Sequence, residues 1–345
     1  MFVLKRLSLF IIILVAVTAG AGYAGGKKGV KRKPPQRSVY TEDDILVRPV
    51  MNVPAVDLGQ KGLLLDKPFD RVKAIRKLIP GRYYHIPDYE GSKDMLDLVV
   101  WKSKDYHKKR FAGWFLDEPP EIFPYTDGNI TQAGQTLSFT DDSGKKNIIF
   151  SFATHHLSSV DDLGNGRYSC VMMGLAWFKE EDRKWSLKYF TPGIGCYGAF
   201  QTLPSMNLIK LGEHNYGVYI LNSNGGPGQV YYSTLYLFAI VNGQFKIVLM
   251  EDAVERTNTM SSSWYPQLSL IKIKSDSDNS FQPLSLRMDG NFNRNIPDPE
   301  YDTTDSPIEL AKAIIGRDSF DFRVTRRFEF NNGKYRKVSA KYRVK

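Results

Sequence analysis

The chain has 345 residues, 42% of them hydrophobic and 13% aromatic, with 19 Tyr, 20 Phe and only two Cys. That length and apolar content suffice for a sizeable core without metals or many disulfides, which argues against the disordered and disulfide-scaffold classes. Net charge is +10, of which residues 1–24 carry +2, residues 25–39 carry +6 and residues 323–345 carry +8, leaving −6 for the body between; basic ends on an acidic body argue against a nucleic-acid groove through the body.

The opening segment, MFVLKRLSLFIIILVAVTAGAGYAGG, joins Lys5 and Arg6 to an apolar run over residues 7–17 and then to small residues. This is the three-part form of a secretory signal peptide, and the apolar run is short for a bilayer span. Cleavage fits after Ala21 or after Ala24, with an uncleaved inner-membrane anchor as the alternative. Cys170 is the first cysteine, so no thiol near the junction can carry a lipid. Residues 25–44, GGKKGVKRKPPQRSVYTEDD, are rich in Gly, Lys, Arg and Pro without apolar periodicity and read as a basic flexible tether that can touch an anionic surface. The expected organisation is a signal peptide over 1–24, the tether over 25–44 and one mainly β domain over 45–345.

A helix is signalled where Asp66 can cap, Pro68 suits a first turn, and Phe69, Val72, Ile75 and Leu78 recur before Ile79-Pro80-Gly81. Strands follow at 82–86 and 96–102, and then WKSKDYHKKRFAGWF interleaves rings with cations. Trp101, Tyr106, Arg110 and Trp114 are the candidate binding residues there, able to stack on bases or sugars beside a bound phosphate. The alternative is an edge strand with its rings turned inward. Hairpins dominate the rest of the chain: alternating runs meet at Asp141-Asp142-Ser143-Gly144, at a charged turn before Trp185, at Asn242-Gly243 and at Asn332-Gly333. Asn-Gly between such runs favours the two positive φ values of a tight hairpin turn. A second helix is signalled late by Ser306-Pro307-Ile308-Glu309, a cap with a capping-box glutamate, and by Gly316 at its end, with Ile308, Leu310, Ala311, Ile314 and Ile315 packing on the sheet. The polar stretch 275–305 before it reads as a surface loop. The fold class expected is mainly β, an antiparallel sandwich or propeller-like single domain with two short helices.

Cys170 and Cys196 stand 26 positions apart, and in an exported chain they are expected to pair. His155-His156 followed by Asp161-Asp162 is the candidate catalytic cluster, because a histidine beside a carboxylate can act as a general base. Adjacent strand residues point to opposite faces, so the two histidines do not readily share an ion, and packing or turn roles compete with the catalytic one. No metal set is assigned: Asp276, Asp278 and Asn279, and Asp298, Glu300, Asp302 and Asp305, are calcium ligands by residue type, but the spacing of a calcium loop is missing. The loop over residues 222–229 lacks the Gly-Lys-Ser/Thr ending of a phosphate loop, and no cofactor is expected.

The run HHL…C…GLAWF…GIGCYGAFQTLP…LIKLGEHNYGVYI…GPGQVYYST, over about residues 150–250, resembles uncharacterised exported, periplasmic, β-rich bacterial proteins. The resemblance implies export and β structure and carries no mechanism. The expectation is an exported, non-catalytic binding protein of the cell envelope whose partner is an envelope component, with no specific nucleic acid. The alternative is a hydrolase acting on envelope polymers through a His/Asp pair.

Overall fold

The computed structural model describes residues 55–56, 58–59, 62–87, 93–103, 128–156, 170–199, 202–224, 232–253, 257–258, 262–264, 267–273, 281–295 and 308–345. All of them belong to one compact unit, Ser38–Lys345. They build three sheets, antiparallel except for one short parallel pairing, and two short helices.

The first sheet takes β1 (Ala55–Val56), β2 (Leu64–Leu65), β3 (Arg82–Pro87), β4 (Met95–Ser103), β5 (Asn129–Thr140), β6 (Lys146–His156), β7 (Val171–Glu181) and β8 (Lys184–Tyr197). Across it the order is β1-β4-β5-β6-β7-β8-β2, with β3 also on β4. The second sheet is the meander β9 (Met206–Lys210), β10 (Tyr216–Asn224), β11 (Tyr232–Val241) and β12 (Gln244–Ala253). The third holds β13 (Thr257–Asn258), β14 (Ser262–Trp264), β15 (Gln267–Lys272), β16 (Leu284–Arg294), β17 (Ser319–Asn331) and β18 (Lys334–Val344). In it β16 pairs with β17 on one side and with β14 and β15 on the other, and β17 pairs with β18.

Side-chain alternation decides how the sheets stack. One face of the first sheet, with Val99, Trp101, Phe150, Phe152 and Phe178, packs against the helix α1 (Arg71–Leu78) through Ala74, Ile75 and Leu78. Its other face, with Ile149, Met173, Leu175, Trp177 and Ile194, packs against Val218, Ile220, Phe238 and Phe245 of the second sheet. The opposite face of the second sheet, with Leu235, Leu237 and Leu249, packs against Leu284, Leu286 and Phe328 of the third. The result is a three-layer sandwich, and none of the sheets closes into a barrel among the described residues. Strand β7 lies in the middle and is buried on both faces from Val171 to Phe178, so it reads as an unbroken apolar run. Gly174 is required there, because a Cβ would stand 2.1 Å from the Phe152 ring and 2.7 Å from the Pro192 carbonyl oxygen.

Both helices form, with ends that differ from the sequence expectation. Asp70, not Asp66, caps α1, accepting the N–H groups of Val72 and Lys73 at 2.8 and 3.0 Å. Pro68 precedes the helix because Phe69 leaves the chain to pack its ring against Phe150, Phe178 and Trp185. Late in the chain a 3-10 turn, Ile308–Leu310, leads into α2 (Ala311–Ile314). Ser306 and Pro307 lie outside the described residues. Glu309 spends its carboxylate on Arg326 rather than on a capping box. Ile315 is 72% exposed instead of packed on the sheet, since the helix has already ended and Gly316 turns the chain at φ +73°.

The disulfide is formed: Cys170 bonds to Cys196 with the Cα atoms 5.4 Å apart. It staples β7 to β8, where Met172 stands opposite Cys196. Both Asn-Gly turns, Asn242-Gly243 and Asn332-Gly333, take positive φ at each residue. The β7–β8 turn takes the same geometry with Asp182 and Arg183, at φ 46° and 66°. No helix among the described residues is long and apolar enough to cross a membrane.

Candidate functional site: the outward face of the third sheet

The third sheet buries one face only. Along β17 the even-numbered residues from Phe320 to Phe328 are buried and the odd-numbered ones face solvent or lie half-buried. The inner face meets the second sheet through Phe328 and Leu284, and meets α2 through Phe320, Phe322 and Met288. Between these two contacts sits Arg326, 3% exposed. Its guanidinium donates from Nε and Nη2 to the two carboxylate oxygens of Glu309 at 2.7 and 2.8 Å, from Nη1 to the Asp252 carbonyl, and lies 3.0 Å from Glu251. Burial pushes the Glu309 carboxyl up, but the Arg326 hydrogen bonds outweigh it and hold the group below its ordinary value. This network joins three elements and is closed to ligands.

The outward face is built from the same strands and carries the C-terminal charge. Register places Arg343, Arg323, Asp289 and Gln267 in one row across β18, β17, β16 and β15. The next row toward the middle of the sheet is Lys341, Thr325, Arg287 and Ser269, followed by Ser339, Arg327, Ser285 and Ile271. Arg336 stands opposite Glu329, and Asn291 opposite Asp321. Antiparallel neighbours on one face lie about 5 Å apart, so these cations form a continuous field. Asp289 accepts a hydrogen bond from the Nε of Arg287 on one oxygen and from the Nε of Arg323 on the other. Burial raises the Asp289 pKa, and these two hydrogen bonds oppose it and prevail, holding the carboxyl below its ordinary value. Arg343, Lys341 and Lys345 have no carboxylate partner among the described residues, and the face is cationic on balance. At its end a depression of about 370 Å³ opens, lined by Gln267, Asp289, Asn291, Asp321, Arg323, Arg343 and Lys345 among others.

Two further charged clusters occur. On β3 and β4, His85 lies directly opposite Asp97, and its Nδ1 is 2.9 Å from the Asp97 carboxylate. The Tyr83 hydroxyl donates to the same oxygen, and the Arg76 guanidinium lies 4.6 Å from the centre of the Tyr83 ring. Burial raises the Asp97 pKa, the hydrogen bonds from Tyr83 and His85 lower it, and the lowering wins. The second cluster fills the seam between the first two sheets. Asp141 accepts from Ser143, Asn147 and the Lys145 N–H, and pairs with Lys179 at 2.7 Å. Asp142 pairs with Lys210. Every polar group named in this seam has a partner within the protein, so it reads as a turn anchored to its neighbours.

The residues singled out from the sequence fall in different places. His155 is on β6 and buried, at 9% exposure, and His156 is the last residue of that strand. Asp161 and Asp162 lie outside the described residues, as do Tyr106, Arg110 and Trp114, the calcium-type residues Asp276, Asp278, Asn279, Asp298, Glu300, Asp302 and Asp305, most of the 222–229 loop and all of residues 1–44. Trp101 is 1% exposed and its indole N–H donates to Thr131 at 2.7 Å. It is a core ring and not a stacking platform, because position 101 shares its face with Val99 and the α1 contact. The described residues bring together two other His/Asp pairs, His85 with Asp97 at 2.9 Å and, more loosely, His214 with Asp142 at 3.9 Å, which their sequence separations did not reveal. Among the described residues no group of three or more His, Cys, Asp or Glu gathers as a metal site. Comparison of the chain with family models, with curated proteins and with solved structures finds no match.

Proposed function

We propose that the protein is an exported, non-catalytic binding protein of the cell envelope whose recognition surface is the outward face of the third sheet, and that its partner is an anionic envelope component. The observation that carries this reading is the solvent-exposed cationic excess of the face, where Lys341 and Arg343 make no ion pair among the described residues and stand with Arg336 beside Arg323 and Arg327, which pair with Asp289 and Glu329. Such a face costs the fold its mutual repulsion, and an anionic partner supplies the compensating charge. Export is supported by the signal-like first segment and by the Cys170–Cys196 disulfide, which suits an oxidising compartment. Aromatic and Gly-rich loops are the recognition surface expected from the sequence; the cationic face has the better support among the described residues.

The test is co-sedimentation of the full chain with anionic phospholipid vesicles and with polyphosphate at low and high salt. Binding that falls steeply with salt is expected, and its loss in a charge-reversed variant, Arg327→Glu with Lys341→Glu. Binding that persisted in that variant but vanished on deleting residues 25–39 would move the site to the N-terminal tether and end this reading.

A second reading, a hydrolase acting on envelope polymers, is favoured by one observation: Asp97 orients His85 through Nδ1, and the histidine side chain is 54% exposed. In that arrangement Nε2 can take a proton from water or a hydroxyl. His85→Ala and Asp97→Asn would each abolish hydrolysis of envelope polymers while leaving the fold intact. Wild-type protein that releases no product from any such polymer removes the reading.

A further inference from the structure

We infer that the depression at the end of the cationic face binds a phosphorylated polyol, with the phosphate on Arg323 and Arg343 and a neighbouring hydroxyl on Asp321 and Asn291. The inference rests on the reading of this face as the recognition surface and specifies its ligand.

Two chemistries meet in the depression. Arg323 and Arg343 are directly opposite each other on β17 and β18, which brings two guanidinium groups to one spot. Asp289 holds Arg323 by its Nε. The terminal nitrogens of that fork therefore remain for a ligand, and no hydrogen bond occupies them among the described residues. A fork anchored from behind is preorganised for the paired oxygens of a phosphate.

The second chemistry lies one row away along the strands. Asn291 faces Asp321 in register, and the Asp321 backbone is fixed by the Lys345 N–H donating to its carbonyl at 2.9 Å. A purely anionic ligand gains nothing from a carboxylate beside its charge. Asp321 accepts hydrogen bonds only, so it fits a donor; Gln267 offers both donor and acceptor, and Asn291 offers its amide N–H groups while its Oδ1 accepts from Asn293 at 3.4 Å. Same-face residues two apart on a strand are separated by about 7 Å. A short polyol carrying a phosphate at one end spans that distance. The depression, about 370 Å³, lies within the roughly 300–1,000 Å³ typical of small-ligand sites.

Asp321→Asn separates this ligand from simple charge attraction, because the two predict opposite signs. Titration of the full chain with sn-glycerol 3-phosphate and with inorganic phosphate is expected to show preference for the polyol ester. Asp321→Asn should weaken glycerol phosphate on the order of tenfold, the effect of replacing a charged hydrogen-bond acceptor by a neutral one. The same change should leave inorganic phosphate unchanged or tighter. Arg343→Gln should weaken both. A parallel arm with phosphatidylglycerol vesicles against phosphatidylserine vesicles of equal charge identifies the source. Preference for phosphatidylglycerol supports the site with a lipid headgroup as its ligand, and binding of glycerol phosphate without that preference supports the site with a soluble or polymeric ester. If Asp321→Asn tightens both soluble probes alike, the polyol inference falls and the cationic face stands. If the wild type binds neither probe and neither vesicle, the face itself is not a recognition surface.

Discussion

The second and third sheets are built from the same hairpin units, yet their sequences look different. Strand β11 reads YSTLYLFAIV and strand β17 reads SFDFRVTRRFEFN. The second sheet is covered on both faces, so Leu235, Leu237 and Ala239 serve one core while Phe238 serves the other. The third is covered on one face, and strict alternation records it. A face that no core constrains is free to carry charge, and that is where the cations of the C-terminal segment gather. The two sheets thus separate what stabilises the molecule from what is available for binding.

The largest effect is expected in the second sheet. Phe238 is fully buried and its ring meets Tyr197 edge-on at 5.6 Å and Tyr236 at 6.5 Å. Phe238→Ala is expected to cost about 3–5 kcal/mol, by lost apolar burial and an unfilled cavity. Chemical denaturation measures it; a cost near 1 kcal/mol would mean that this sheet is not the doubly packed layer described.

Arg326 is the exception that sharpens the rule, being a charge on the buried face. Arg326→Met leaves Glu309 in a low-dielectric site without its cation, while Glu251 keeps Lys337 at 2.8 Å, and a loss of about 3 kcal/mol at neutral pH is expected. The pH dependence carries the sign. In the wild type Glu309 titrates below the usual glutamate value of 4.5, so its contribution is complete above pH 4.5 and is lost as pH falls through the depressed value. In the variant, burial without the arginine raises the carboxyl pKa, so the penalty is present at neutral pH and is relieved on acidification. The stability gap between the two proteins should therefore narrow from pH 7 toward pH 4. A gap independent of pH would show that packing, and not charge, is what Arg326 provides.

A smaller effect of opposite sign is expected at the β7–β8 turn. Asp182 and Arg183 occupy the left-handed region that Asn-Gly occupies at the other two tight hairpins. For a residue with a Cβ that conformation costs roughly 1–2 kcal/mol. Arg183→Gly should stabilise by about 0.5–1 kcal/mol after the entropy of the added glycine is set against the relief. Thermal unfolding reads the gain, and a loss would mean that the Arg183 side chain makes a contact worth more than the strain.

These features were unequally legible in the sequence. Alternation in β17 and the Asn-Gly pairs declared the late hairpins, because turn chemistry and a half-exposed face both act over a few residues. The charge at residues 323–345 was visible as a sum; its division into a buried arginine, Arg326, a lysine paired to Glu251, Lys337, and an outward field required the strand register. Trp101 is surrounded by lysines and aromatic residues in the chain and by apolar groups in space, so local composition pointed outward where packing turned it inward. The pairing of His85 with Asp97 depends on a strand register that no local spacing encodes. Asp66 and Asp70 are both plausible caps by residue type, and the packing of Phe69 decides between them.

The smallest expected effect is the one that most directly tests the contrast between the sheets. Lys341 and Arg343 are exposed on β18 and make no ion pair among the described residues. If the outward face is unconstrained by folding, Lys341→Glu and Arg343→Gln should each change stability by no more than about 0.5 kcal/mol. Lys341→Glu is expected to stabilise slightly if it changes stability at all, since it places a carboxylate among the neighbouring cations Arg323, Arg327 and Arg343. Binding should respond in the opposite manner, falling in both variants and falling further as salt is lowered relative to the wild type, because the field that attracts the ligand is being removed. Denaturation and vesicle co-sedimentation on the same two variants give the paired result. A variant that loses stability and keeps binding would reverse the assignment, making this face a structural element and sending the search for the ligand back to the other two clusters.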